Sequence, residues 1–197
     1  MKFIIISSEV DFPAETRQVQ NLFEAGLELF HLRKKNYSED KIRKFIEEIP
    51  KKYYNRIVLH SHYHLAEEYH LSGIHIKLPI VRIPNLCYST SFHSLNEIKD
   101  CKYDYAFLSP IFDSISKQGY KSKFMLHKFS QSKSELINAI SDKNIIALGG
   151  IDEDKIKIVR ELGFWGIALL GAIWNNKNPV EKFKRIKEKC YQKDLIS

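Results

Sequence analysis

Eight short apolar runs recur along this chain, at residues 3–7, 29–33, 56–60, 73–76, 87–92, 105–109, 144–149 and 166–171. Two of them, around Ile145-Ile146-Ala147-Leu148 and Ile167-Ala168-Leu169-Leu170, are apolar at four successive positions. Such a strand must be covered on both faces, the condition of a parallel sheet flanked by helices. The intervals carry a helical period instead. Ile42, Phe45, Ile46 and Ile49 share one stripe, while Lys41, Lys44, Glu47 and Glu48 face water. Behind Asp152, an N-cap candidate, Ile156, Ile158, Val159 and Leu162 supply a second apolar series. Ser94-Leu95-Asn96-Glu97 has capping-box spacing, and Glu39 and Asp40 suit the positive end of a helix. Gly26, Gly73 and Gly163 fall where one helix stops and the next strand begins.

Repeated strand-then-helix units predict a (β/α)8 TIM barrel, one compact domain over residues 1–191 with 192–197 as a tail. The tight spacing of the third, fourth and fifth strands requires short connections. An open doubly wound sheet is the structural alternative.

Composition narrows the function classes. With 197 residues, 44% of them hydrophobic, the chain can build a sizeable core, and disorder is excluded. No apolar run approaches the roughly 20 residues of a bilayer span, and residues 1–7 read as a first strand rather than a signal peptide. Cys87, Cys101 and Cys190 form an odd set without a CxxC, so reduced thiols and a cytoplasmic location are expected. Lys and Arg exceed Asp and Glu by 31 to 24, but the excess is spread over helix-like segments without a nucleic-acid signature. The expected partner is a small phosphorylated molecule, with no nucleic acid and no membrane. Exposed barrel helices offer a surface for a homodimer.

In either architecture ligands collect at the carboxyl ends of the strands. After the second run, alternation places His31, Arg33 and Lys35 on one side, an anion cradle at a barrel mouth. After the third come His60, His62 and His64, with His75 ending the fourth. Period-two histidines at a strand end fit either a metal or ordinary hydrogen bonding. After the sixth, Ser114, Ser116 and Lys117 offer two hydroxyls and an ammonium. Gly149 and Gly150 follow the seventh run and Gly171 and Ala172 the eighth, where backbone N–H groups can approach an anion. Three anion-binding features thus converge on one rim.

These residues resemble a known superfamily, that of thiamin phosphate synthase and its paralogue thiazole tautomerase. The matching stretches begin with His31-Leu32-Arg33-Lys34-Lys35, Leu71-Ser72-Gly73-Ile74-His75-Ile76 and Ser91-Phe92-His93-Ser94. They continue with residues 104–117, Ala147-Leu148-Gly149-Gly150-Ile151 and Gly163-Phe164-Trp165-Gly166-Ile167-Ala168. The resemblance implies a (β/α)8 barrel and the coupling of a pyrimidine pyrophosphate to a thiazole phosphate with Mg²⁺. It assigns the thiazole phosphate to Ser114, Ser116, Lys117, Gly149, Gly150, Gly171 and Ala172. His31, Arg33, Lys35 and Ser91 fall to the pyrophosphate and pyrimidine side.

The chain also departs from the pattern. His60-Ser61 stands where the synthase usually has Asn-Asp, and no aspartate follows His75 within 76–80. Both Mg²⁺ carboxylates are therefore missing, so no metal ligand is assigned, and Mg²⁺ is implied only if synthase activity is retained. His31 replaces the usual glutamine, and Pro110 stands at the tautomerase's usual catalytic histidine. The implied alternatives are a metal-free tautomerase-like enzyme, with His60 and His75 moving protons, and a non-catalytic binder of a thiazole or thiamin phosphate.

Overall fold

The computed structural model describes residues 1–77, 82–99, 102–112 and 130–192. Its strands are β1 (Lys2–Ile6), β2 (Leu29–Leu32), β3 (Ile57–Leu59), β4 (Gly73–His75), β5 (Cys87–Phe92), β6 (Tyr105–Leu108), β7 (Ile145–Leu148) and β8 (Gly166–Leu169). All pair in parallel and close in chain order. The seal is β8 on β1, with Phe3 opposite Ile167 and Ile5 opposite Leu169. That closure excludes the open doubly wound sheet.

The helices follow the periodic segments: α1 (Glu15–Glu24), α2 (Glu39–Glu47), α3 (His64–Glu68), α4 (Ser130–Ile140), α5 (Ile156–Glu161), α6 (Gly171–Trp174) and α7 (Pro179–Tyr191). Ser38 caps α2 by accepting from the Lys41 N–H. Asp152 accepts from the Asp154 N–H, but the turn it opens is a 3-10 segment, Glu153–Lys155, that runs into α5. The capping box expected at 94–97 does not form. The connection from β5 to β6 has room for one 3-10 turn, Asn96–Ile98, and the Glu97 carboxylate accepts from the His93 N–H at 2.6 Å.

Alternation along each strand separates two cores. Phe3 and Ile5 of β1, Phe30 and Leu32 of β2 and Ala106 and Leu108 of β6 face the helices. Ile4, Ile6, Tyr105, Phe107, Ile146 and Ala168 pack inside the barrel. On β2, β4 and β5 the inward positions bring polar side chains together instead: His31, His75, Ser89 and Ser91 hydrogen-bond among themselves or with Tyr105 and His60. One half of the interior is oily and the other is a hydrogen-bonded imidazole and hydroxyl cluster.

Candidate active site

A cavity of about 530 Å³ opens at the carboxyl ends of the strands. Its wall includes Arg33, His60, His75 and Ser91 on one side and Gly149, Gly150, Gly171 and Ala172 on the other. The order of strands around the barrel places the two groups on opposite arcs of one rim. Gly149 and Gly150 both have positive φ, 99° and 64°. A Cβ on Gly149 would stand 3.0 Å from Cα and Cβ of Pro110, so this turn requires a glycine for both conformation and space. Ser114, Ser116 and Lys117 lie outside the described residues.

Under the cavity floor, His31 is fully buried. Its Nδ1 is 2.9 Å from His60 Nε2, and its Nε2 is 2.6 Å from the Tyr105 hydroxyl. His75 stacks on His60 with ring centroids 4.3 Å apart. Its Nδ1 lies 2.9 Å from Ser89 Oγ and its Nε2 3.0 Å from Ser91 Oγ. Loss of water holds all three imidazoles neutral. Burial, then the neighbouring His60 and His75, keeps His31 well below the usual imidazole range. Burial, then His75 and the Arg33 charge, does the same for His60. Burial, then Arg33, lowers His75 to about 4.

Two expectations change. β2 ends at Leu32, so alternation does not carry Lys35 to the side of Arg33: Lys35 is exposed and is absent from the cavity wall. Lys34 turns inward instead, giving hydrogen bonds to the Val10 carbonyl and the Glu15 carboxylate. His62 does not join His60 and His75. Its φ is positive, 49°, and its Nε2 lies 3.3 Å from the Tyr37 carbonyl. His31 takes the third place in the cluster. Sequence reasoning passed over Ser89 and Tyr105, although Ser89 has the same period-two spacing to Ser91 that singled out the histidines. It also left Lys77, which lines the cavity, without a role.

The Mg²⁺ implied by the resemblance does not fit this wall. Among the described residues lining the cavity the one carboxylate is Glu9, which pairs with Arg33 at 2.9 Å. The ends of β3 and β4 present imidazole nitrogen, whereas Mg²⁺ demands hard oxygen ligands.

Fold and cavity together define a (β/α)8 barrel with a cavity at its carboxyl rim. The profile of the family described as thiamine monophosphate synthase matches residues 3–173, and the chain belongs to that family. A thiamine-phosphate synthase of Methanococcus maripaludis is 23% identical in an alignment of 204 positions that covers 95% of this chain and 94% of that protein. The synthase of Limosilactobacillus reuteri is 23% identical in an alignment of 143 positions that covers 66% of this chain and 64% of that protein. Among solved structures, thiamine phosphate pyrophosphorylase from Bacteroides thetaiotaomicron has a TM-score of 0.78 at 32% identity, covering 96% of this chain and 97% of that one. The Pyrococcus furiosus pyrophosphorylase, at 18% identity and a TM-score of 0.75, shares the fold.

Proposed function

We propose that this chain is an enzyme of thiamine biosynthesis that takes a thiazole phosphate into the cavity at its carboxyl rim. The observation that carries the reading is that the glycine turns after β7 and β8 share one cavity with Arg33 and the imidazoles of β3 and β4. In this reading the phosphate sits over Gly149, Gly150, Gly171 and Ala172, where bare backbone permits close approach and α6 begins. Ser114, Ser116 and Lys117 complete the seat with hydroxyl and ammonium donors. Arg33 and Ser91 serve the pyrimidine side. There a guanidinium stabilises negative charge on a departing pyrophosphate.

A second reading, tautomerase-like proton transfer on the thiazole, is favoured by the donor set. The wall offers neutral imidazoles, not carboxylates, where a synthase would bind Mg²⁺. His60 reaches the cavity with its partner His31 behind it, so a proton taken from the ring has a hydrogen-bonded path toward Tyr105. Burial lowers the basicity of both His60 and His75, so it is the contact with His31, not basicity, that singles out His60 as the acceptor.

One experiment separates these readings. Purified protein is supplied with pyrimidine pyrophosphate, thiazole phosphate and Mg²⁺, and in parallel with the thiazole tautomer alone. Thiamine phosphate formation supports the synthase. Tautomer turnover abolished in His60→Gln supports proton transfer. Thiazole phosphate affinity untouched by Ser114→Ala with Lys117→Ala overturns the phosphate seat itself.

A further inference from the structure

His31, His60 and His75 stand at or just beyond the ends of three successive strands. Each brings a ring nitrogen to within 4.8 Å of the others. Their ring centroids form a triangle with sides of 4.3, 5.2 and 5.7 Å. Three imidazoles bound to one tetrahedral ion at about 2.0–2.1 Å per nitrogen place their centroids about 5 Å apart. The rings already hold close to that spacing, and the stacked His60 and His75 rings, 18° from parallel, must turn apart for both lone pairs to meet one ion.

The surroundings match what a ligating imidazole needs. Such a ring keeps its second nitrogen protonated and gives that proton to an oxygen, which fixes both tautomer and orientation. Tyr105 Oη is 2.6 Å from Nε2 of His31, and Ser89 Oγ is 2.9 Å from Nδ1 of His75. That leaves His31 Nδ1, 2.9 Å from His60 Nε2, and His75 Nε2, 3.0 Å from Ser91 Oγ, to carry lone pairs. His60 and His75 also line the cavity, so an ion held there has an entry path and an accessible coordination position.

We propose that His31, His60 and His75 bind one divalent transition ion of the zinc class, with its fourth position facing the cavity beside the Ser91 hydroxyl. Three neutral nitrogens suit such an ion and not Mg²⁺. The Arg33 charge opposes a dication, but Glu9 pairs with that guanidinium at 2.9 Å and offsets much of the repulsion. The site goes beyond the proposed function and does not depend on its substrate. It competes with the proton-transfer reading, because an imidazole whose lone pair is on a cation is no longer a base.

The test is a titration of chelator-treated, full-length protein with Co²⁺ alone. Expected is one equivalent per chain, with the visible bands of a low-coordinate nitrogen site, displaced by one equivalent of Zn²⁺ and indifferent to excess Mg²⁺. His60→Gln and His75→Gln change residues that reach the cavity, and each weakens Co²⁺ by about 100-fold or more. Tyr105→Phe, which removes the hydroxyl beside the outer nitrogen of His31, weakens it by roughly tenfold. Absence of the bands overturns the site. So does unchanged affinity in the His60→Gln, His75→Gln double variant, which assigns uptake to exposed histidines such as His64.

Discussion

The ammonium of Lys34 lies 2.5 Å from the carboxylate of Glu15, with both side chains almost wholly withdrawn from water, at 2% and 5% exposure. The pair joins Lys34, two residues past the end of β2, to the first residue of α1, and it holds the loop between β1 and α1. Glu15 also accepts from the Ser8 N–H, and Lys34 donates to the Val10 carbonyl. Burial outweighs the attraction of Lys34 and leaves the Glu15 carboxyl above its usual range. Removing one partner strands a buried charge, so Lys34→Met lowers stability by about 3–5 kcal/mol in urea unfolding. The double variant with Glu15→Gln keeps the acceptor for Ser8 and recovers most of that loss. A double variant as unstable as the single one would show that the loop, not the charge, sets the effect.

The imidazole cluster makes stability fall in acid. His31 and His60 are held well below the usual range and His75 at about 4, so all three stay neutral in the fold near pH 7. In the unfolded chain each titrates near 6.5. Between roughly pH 6.5 and 4 the unfolded chain binds more protons, so stability rises with pH across that window and is lost as acid is added. For His75 alone the full change is about 3 kcal/mol, with some 2 kcal/mol gone by about pH 5. Urea midpoints of chelator-treated protein should drop from pH 7 to 5, and less steeply in His75→Gln. Equal midpoints across that range would mean that the rings are not held neutral.

Two glycines allow backbone conformation to be separated from crowding. Gly149 and Gly163 both have positive φ, 99° and 82°. Nothing lies within 4 Å of a Cβ on Gly163, whereas one on Gly149 meets Pro110 at 3.0 Å. Gly163→Ala therefore bears the backbone term, about 1 kcal/mol. Gly149→Ala adds displacement of Pro110 and costs roughly 1–2 kcal/mol more, with a shift at the cavity wall. Matching thermal midpoints for the two variants would show that Pro110 yields freely.

The barrel was legible because continuous apolar runs report burial on both faces, and each of the eight runs overlaps its strand, with ends moved by at most two residues. What the sequence could not convey was where alternation stops. Periodicity places Lys35 beside Arg33, but the last paired residue of β2 opposite β3 is Leu32, and beyond it the loop sets each direction separately. His62 failed as a partner of His60 for the same reason. Its backbone turns left-handed three residues after β3's end, and the side chain leaves the cluster. Inside the sheet, the same rule read correctly would have joined Ser89 to Ser91. The spatial meeting of His31 with Tyr105, 74 positions apart, depends on closure of the barrel and has no local signature.

Glu9 and Arg33 share the cavity wall with Lys77, and the Glu9–Arg33 pairing at 2.9 Å is half-exposed rather than sealed. An anionic substrate approaching Arg33 must share the guanidinium with that carboxylate. Glu9→Gln removes one negative charge at the wall, within several ångströms of where the anion would sit. At an effective dielectric near 40 and about 6 Å separation the gain is roughly 1.4 kcal/mol per unit of anion charge, close to a tenfold increase in affinity. Because the pair is wetted, salt erodes the gain, and at about 1 M ionic strength the variant and the parent should converge. Calorimetric titration with inorganic pyrophosphate at low and high salt reads both effects. Arg33→Gln moves affinity the other way, by tenfold or more at low salt, if the guanidinium faces the anion. Pyrophosphate binding equal in the parent and both variants would remove Arg33 from the site and confine anion recognition to the glycine rim.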